Sequence, residues 1–148
     1  WGAMGSAAMM GLGLALAQAE RPVLVLTGDG ELLMGLGALA TLGVKKPPNL
    51  TVAVLDNGRY GETGMQLTHT ALGVDLAGVA LACKFDAARM VEDMDGVSRL
   101  RDEIHGTEPG LRLAQIRIKA ESPEKVLPPR DGVFLKNRFR AGLGLPTI

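Results

Sequence analysis

Two runs decide the fold: Val23-Leu24-Val25-Leu26-Thr27-Gly28-Asp29-Gly30, and Leu50-Thr51-Val52-Ala53-Val54-Leu55-Asp56-Asn57-Gly58-Arg59-Tyr60-Gly61. Each begins as an apolar strand and ends in polar, glycine-rich residues. Between them lies a small-residue helical pattern, read as a helix over 31–42, and then the exposed connector Lys45-Lys46-Pro47-Pro48-Asn49. This is a β-α-β unit. A right-handed crossover makes its strands parallel, so both polar ends fall at one edge of the sheet. In open parallel sheets that edge is where ligands sit. The run 50–55 has no polar alternation beyond Thr51, as expected of a strand covered on both faces.

Upstream, Trp1-Gly2-Ala3-Met4-Gly5-Ser6 reads as a loop, with Ser6 the expected N-cap of a helix over 7–19. That helix is apolar nearly all round, which predicts burial on several sides, in the core or against another subunit. Residues 1–19 carry no charge. Four glycines and the lack of a basic flank argue against a membrane span or an export signal, and the abrupt start suggests an amino-terminal segment that is missing or disordered. Downstream, residues 65–73 read as irregular and Asp75 as the cap of a helix over 76–82. A strand over 85–91, a helix over 95–105 and a strand over 111–118 follow. The proline-rich tail predicts one short helix near 131–141, anchored by Phe134, Leu135 and Phe139. Strands alternating with helices give an α/β fold, three layers with a mostly parallel sheet. Residues 1–120 are taken as the domain and 121–148 as its tail.

Lys+Arg and Asp+Glu both total 16 in a chain of 148 residues, enough for one domain with a real core. Zero net charge argues against nucleic acid as the main partner. Cys83 is the only cysteine, so neither an intrachain disulfide nor a cysteine metal site is available, and it reads as a small buried hydrophobe. Twenty glycines and an aromatic share of 3% imply helices and strands that approach each other closely. These features fit a cytoplasmic protein without a membrane partner.

The two polar loops carry the chemistry. Asp29 and Asn57 supply a carboxylate and an amide oxygen, hard ligands suited to Mg²⁺ or Ca²⁺ with phosphate oxygens and water. Gly28 and Gly30 permit close backbone approach, and the amides after Gly30 can face a phosphate. The pair therefore predicts a metal–diphosphate site. Read singly, Asp29 is a turn residue and helix cap, and Asn57-Gly58 is a common turn. Gly28-Asp29-Gly30 lacks the third glycine of a dinucleotide loop, and no Walker A pattern is present. Gly11-Leu12-Gly13 lies inside a helical stretch and reads as packing.

Gly28-Asp29-Gly30, then 25 residues, then Asp56-Asn57 resembles the signature of thiamine-diphosphate enzymes, which runs from Gly-Asp-Gly to Asn-Asn. Asp56 stands where that signature has its first Asn. Trp1-Gly2-Ala3-Met4-Gly5 is similar to the family's aminopyrimidine loop. The resemblance covers nearly the whole chain as the pyrophosphate-binding (PP) domain. It implies thiamine diphosphate and Mg²⁺ as cofactors, the metal held by Asp29, Asn57 and the Arg59 carbonyl. It further implies that the Gly28 turn, the Gly30 and Glu31 amides, Tyr60, and the Gly61 and Glu62 amides meet the diphosphate. The Gly2 carbonyl and the Met4 amide would hold the aminopyrimidine, with the Met4 side chain under the bent cofactor. Read without its neighbours, Met4 is a core methionine.

The stretch from Asp56 to Gln66, with Leu67-Thr68-His69-Thr70, resembles the sulfopyruvate and phosphonopyruvate decarboxylase branch. The implied reaction is decarboxylation of an anionic 2-oxo acid to an aldehyde. Arg59 could meet the anionic head of that acid or pair at the surface. His69 could contact substrate or be structural. The glutamate that activates the cofactor in this family belongs to a pyrimidine-binding (PYR) domain, which nothing in the chain matches. A separate PYR-domain α subunit is therefore the expected partner, and the apolar helices predict at least a homodimer. The rivals are another thiamine-diphosphate enzyme, acetolactate-synthase-like, and a non-catalytic orphan cofactor-binding subunit.

Overall fold

The computed structural model describes residues 4–121, 124 and 126–148. Four parallel strands form one sheet in the order β1-β2-β6-β5. They are β1 (Val23–Gly28), β2 (Leu50–Asp56), β5 (Ala87–Val91) and β6 (Arg112–Arg117). The helices are α1 (Ala7–Ala17), α2 (Asp29–Met34), α3 (Ala38–Lys45), α4 (Leu76–Ala82), α5 (Met94–His105) and α6 (Gly132–Gly142). A two-residue ribbon, β3 (Arg59–Tyr60) with β4 (Gln66–Leu67), stands apart from the sheet.

The register between β1 and β2 runs from Val23 opposite Leu50 to Gly28 opposite Leu55. It sets the Gly28 turn and the Asp56 turn side by side, as the crossover rule requires. Helices α1 to α4 cover one face of the sheet, burying Leu12, Val25, Leu39, Val52, Leu76 and Leu113 among others. Helix α5 covers the other face with Leu100, against Ala53, Val91 and Ala114. The result is the expected three-layer α/β/α arrangement. β2, flanked on both sides, is buried on both faces. β1 is an edge strand: Val23 and Val25 are buried, whereas Leu24 and Leu26 are 49% and 63% exposed. Cys83 is half-buried at the rim of the larger core.

Local chemistry explains the elements and the departures from expectation. Asp75, Asp93 and Asp131 cap α4, α5 and α6 by accepting backbone amides. α1 stops at Ala17, two residues early. There the Asn49 side-chain amide donates to the carbonyls of Ala15, Gln18 and Arg21 at 3.2, 3.0 and 2.8 Å, satisfying the helix end from outside. Within this chain α1 buries the face of Ala8, Gly11, Leu12 and Ala15, and Met10 on the opposite face is 72% exposed, so the core does not cover its other sides. The single helix expected over 31–42 begins at Asp29 and divides at Gly35-Leu36-Gly37. Two glycines in so short a span cost helix stability, roughly 1 kcal/mol each relative to alanine.

Residues 65–73 hold β4 and a 3-10 turn at Thr70–Leu72 rather than irregular chain. Phe134 and Phe139 do not anchor the tail: they are 49% and 55% exposed, and α6 has no buried residue. Among the described residues, no helix is long and apolar enough to cross a membrane.

Candidate functional site

The carboxyl ends of β1 and β2 open into a cavity of about 350 Å³. Its wall from the first loop is Gly28, Asp29, Gly30 and Glu31. Its wall from the second is Asn57, Arg59, Tyr60, Gly61 and Glu62. Met4, Met34, Leu55, Thr63 and Ile118 complete it. Ten of the eleven residues expected at the site from sequence thus meet in one cavity. The eleventh, Gly2, lies outside the described residues, as does the rest of the loop before Met4. His69 does not line the cavity; it is exposed, and its carbonyl accepts the amides of Leu72 and Val74.

Asp29 is 2% exposed. Its Oδ2 accepts the hydroxyl of Thr68 at 2.5 Å and lies 3.0 Å from that of Thr70. Its Oδ1 accepts no hydrogen bond from the described residues and is left to the cavity. Asp56, 2% exposed as well, has both oxygens engaged. Oδ1 accepts the Gly58 amide at 3.0 Å and the Thr70 hydroxyl at 2.7 Å. Oδ2 accepts the Gln115 side-chain amide at 2.7 Å. Each threonine hydroxyl has one proton to give. The shortest contacts direct the Thr68 proton to Asp29 and the Thr70 proton to Asp56. Gln115 Oε1 in turn accepts the amides of Leu76 and Ala77 at the start of α4, so the relay ends on the helix backbone.

Asn57 Oδ1 accepts the Arg59 amide at 2.8 Å, an Asx turn that directs the second loop around the cavity. The Arg59 guanidinium reaches back to the Met65 carbonyl at 3.4 Å, bracing the β3–β4 ribbon. Tyr60 packs on the first loop. A Cβ on Gly30 would lie 2.8 Å from the Tyr60 ring, so no larger residue fits there without displacing the ring.

Glu31 does more than its place in the motif suggests. Oε1 accepts the amides of Gly5, Ser6 and Ala7 at 2.8, 2.8 and 3.0 Å, and Oε2 accepts the Thr27 hydroxyl at 2.5 Å. Burial pushes the Glu31 carboxyl up, but the hydrogen bonds from Ala7, Thr27, Gly5 and Ser6 outweigh it and hold the group below the ordinary glutamate value. The Ser6 hydroxyl, expected as the cap of α1, makes no capping bond; Glu31 takes that role from 24 to 26 residues away.

Residue-by-residue reading missed Thr27, Thr68, Thr70, Asp56 and Gln115. One signal was available. Gln115 is a lone amide in the apolar strand Leu113-Ala114-Gln115-Ile116, and a buried polar side chain needs partners. The cavity fits a divalent cation. It offers one buried carboxylate with an uncommitted oxygen, an amide oxygen and loop carbonyls, all hard donors.

The chain matches the family described as "Thiamine pyrophosphate enzyme, C-terminal TPP binding domain" over residues 1–118. It belongs to this family. Among similar curated proteins is a phosphonopyruvate decarboxylase of Streptomyces viridochromogenes, 41% identical over 146 residues, covering 98% of this chain and 36% of that protein. Another is a sulfopyruvate decarboxylase subunit beta of Methanothermobacter thermautotrophicus, 46% identical over 94 residues, covering 64% of this chain and 50% of that one. The chain therefore spans half or less of the length of these two relatives. In fold it is similar to a benzoylformate decarboxylase of Polynucleobacter necessarius. That match has a TM-score of 0.64 at 21% identity, over 81% of this chain and 24% of that one.

Proposed function

We propose that this domain binds thiamine diphosphate with Mg²⁺ and serves the decarboxylation of an anionic 2-oxo acid, of the sulfopyruvate or phosphonopyruvate type, to an aldehyde. The observation that carries the proposal is Asp29: a buried carboxylate with one oxygen tied down and the other facing the glycine-lined cavity of a thiamine pyrophosphate family member. Asp29 Oδ1, the Asn57 side-chain oxygen and the Arg59 carbonyl would hold the cation. The Gly30 and Glu31 amides, and those of Gly61 and Glu62 beside Tyr60, would take the diphosphate. Met4 and Gly2 would hold the aminopyrimidine end. When bound, thiamine diphosphate supplies the electron sink that loss of CO₂ from a 2-oxo acid requires. The chain's own residues fix the cofactor and exclude water from its phosphate end.

The carboxylate of Glu31 is fully engaged by three amides and a hydroxyl, which leaves it no role in activating the cofactor. The activating glutamate is assigned to a PYR-domain partner chain. The name "subunit beta" carried by several relatives supports this two-chain reading. The exposed apolar face of α1, with Met9, Met10 and Leu16, supports a further contact with a second copy.

The test has two parts. Thermal unfolding of the chain with thiamine diphosphate and Mg²⁺ should shift upward, by about 2.7 kcal/mol of stability at a hundred times the dissociation constant, and chelation should remove the shift. The chain co-expressed with a PYR-domain partner should release CO₂ from sulfopyruvate or phosphonopyruvate, and the chain alone should not. Decarboxylation by the chain alone would refute the half-site reading.

A further inference from the structure

Glu31 joins three parts of the site. Its amide lies in the turn assigned to the diphosphate. Its Oε2 is tied to Thr27, the penultimate residue of β1. Its Oε1 gathers the amides of Gly5, Ser6 and Ala7, the residues immediately after Met4. A carboxylate accepting three backbone amides is a strong, charge-assisted anchor. Four donors hold the carboxylate, which fixes its position although the residue is only half-buried.

A second contact holds the same loop independently. Gly5 lies with φ +88° against the break between α2 and α3, and a Cβ on Gly35 would sit 2.0 Å from the Gly5 carbonyl oxygen. Only glycine at 35 admits the loop at this distance. The loop is thus held from one side by backbone contact and from the other by the Glu31 carboxylate, and both holds come from the element that carries the diphosphate turn.

We propose that Glu31 is a positioning residue that fixes the Met4 loop against the diphosphate turn, so that the pyrimidine end and the phosphate end of one cofactor are held at a set separation. The proposal rests on the thiamine-diphosphate reading above. It concerns the side chain of Glu31, which that reading does not use.

The consequence is selective. A ligand that spans both ends needs the loop; a ligand that occupies only the phosphate end does not. The experiment is titration calorimetry of the full chain with thiamine diphosphate and, separately, with inorganic pyrophosphate, both in Mg²⁺. Glu31→Ala, which keeps the backbone amide assigned to the diphosphate, should weaken thiamine diphosphate about tenfold or more relative to pyrophosphate, the worth of one kept hydrogen bond to a charged group. Glu31→Gln keeps a side-chain oxygen for the three amides and should restore most of the affinity. Glu31→Asp, one methylene short but still charged, should show the selective loss even where the alanine variant fails to fold. Equal weakening of both ligands, or of neither, overturns the proposal. So does a wild-type chain that binds pyrophosphate but not thiamine diphosphate. A wild-type chain that binds neither removes the cofactor reading itself.

Discussion

The turns after β1 and β2 sit side by side at one edge of the sheet, and each carries a buried aspartate. Asp29 and Asp56 are equally hidden, each 2% exposed, and share the hydroxyl of Thr70 as a neighbour. They differ in what is left over. Asp56 spends both oxygens on Gly58, Thr70 and Gln115. Asp29 spends one on Thr68, with Thr70 beside it, and keeps the other for the cavity. Glu31 falls on the side of Asp56, with both oxygens committed. Burial alone therefore does not mark a ligand-binding carboxylate. An account of each lone pair does, because a protein that fills every acceptor has built a strut, and one that leaves an acceptor open has built a site.

The comparison can be broken most directly at Asp29. Asp29→Asn should weaken Mg²⁺-dependent thiamine diphosphate binding by about a hundredfold or more, since even residues that merely support a metal ligand are worth about 10–100-fold. The same change should leave the ligand-free chain at least as stable as wild type. It keeps an oxygen for Thr68 and Thr70 and removes one of two like charges that lie beside a single hydroxyl. Calorimetry and thermal unfolding on the same preparation read both effects. A large drop in stability with binding retained would reverse the roles assigned to the two aspartates.

Asp56→Ala should do the opposite. It strands the Gln115 amide and the Gly58 amide, while the Thr70 hydroxyl can still donate to Asp29, at a cost on the order of 3 kcal/mol. The melting temperature should fall by about 10 °C, with the residual folded fraction still responsive to cofactor.

The smallest effect concerns pH. The folded-state pKa of Glu31 lies below its unfolded value. Its contribution to stability is therefore complete above the unfolded glutamate pKa and is lost as pH falls through the folded one. The stability difference between wild type and Glu31→Gln, followed by urea unfolding from neutral to acid pH, should narrow across that window. A difference that stays constant to low pH would show that the charge of Glu31 contributes nothing.

The site's outline was legible because its markers are local. Gly28-Asp29-Gly30 and Asp56-Asn57 each follow an apolar strand, and the handedness of the crossover brings them together without further information. The struts were not legible, because their partners are far apart in the chain. Thr70 and Asp56 are 14 residues apart, Thr68 and Asp29 are 39, and Gln115 and Asp56 are 59. No periodicity reports a hydroxyl returning over a carboxylate from a short ribbon. The undivided helix over 31–42 was expected from its small-residue pattern, yet the chain breaks at Gly35, where the Gly5 backbone packs against it. Phe134 and Phe139 show the converse: apolar character named them as anchors, and the fold leaves them half in solvent.

The edge position of β1 has a practical consequence. An edge strand presents unpaired peptide groups, and Leu24 and Leu26 add an apolar strip on its open face. Such a surface is a template for any other strand it meets, including that of a neighbouring molecule. Preparations of this chain by itself should therefore be prone to concentration-dependent aggregation, and a charged residue at position 26, such as Leu26→Lys, should suppress it without touching the cavity at the strand's carboxyl end.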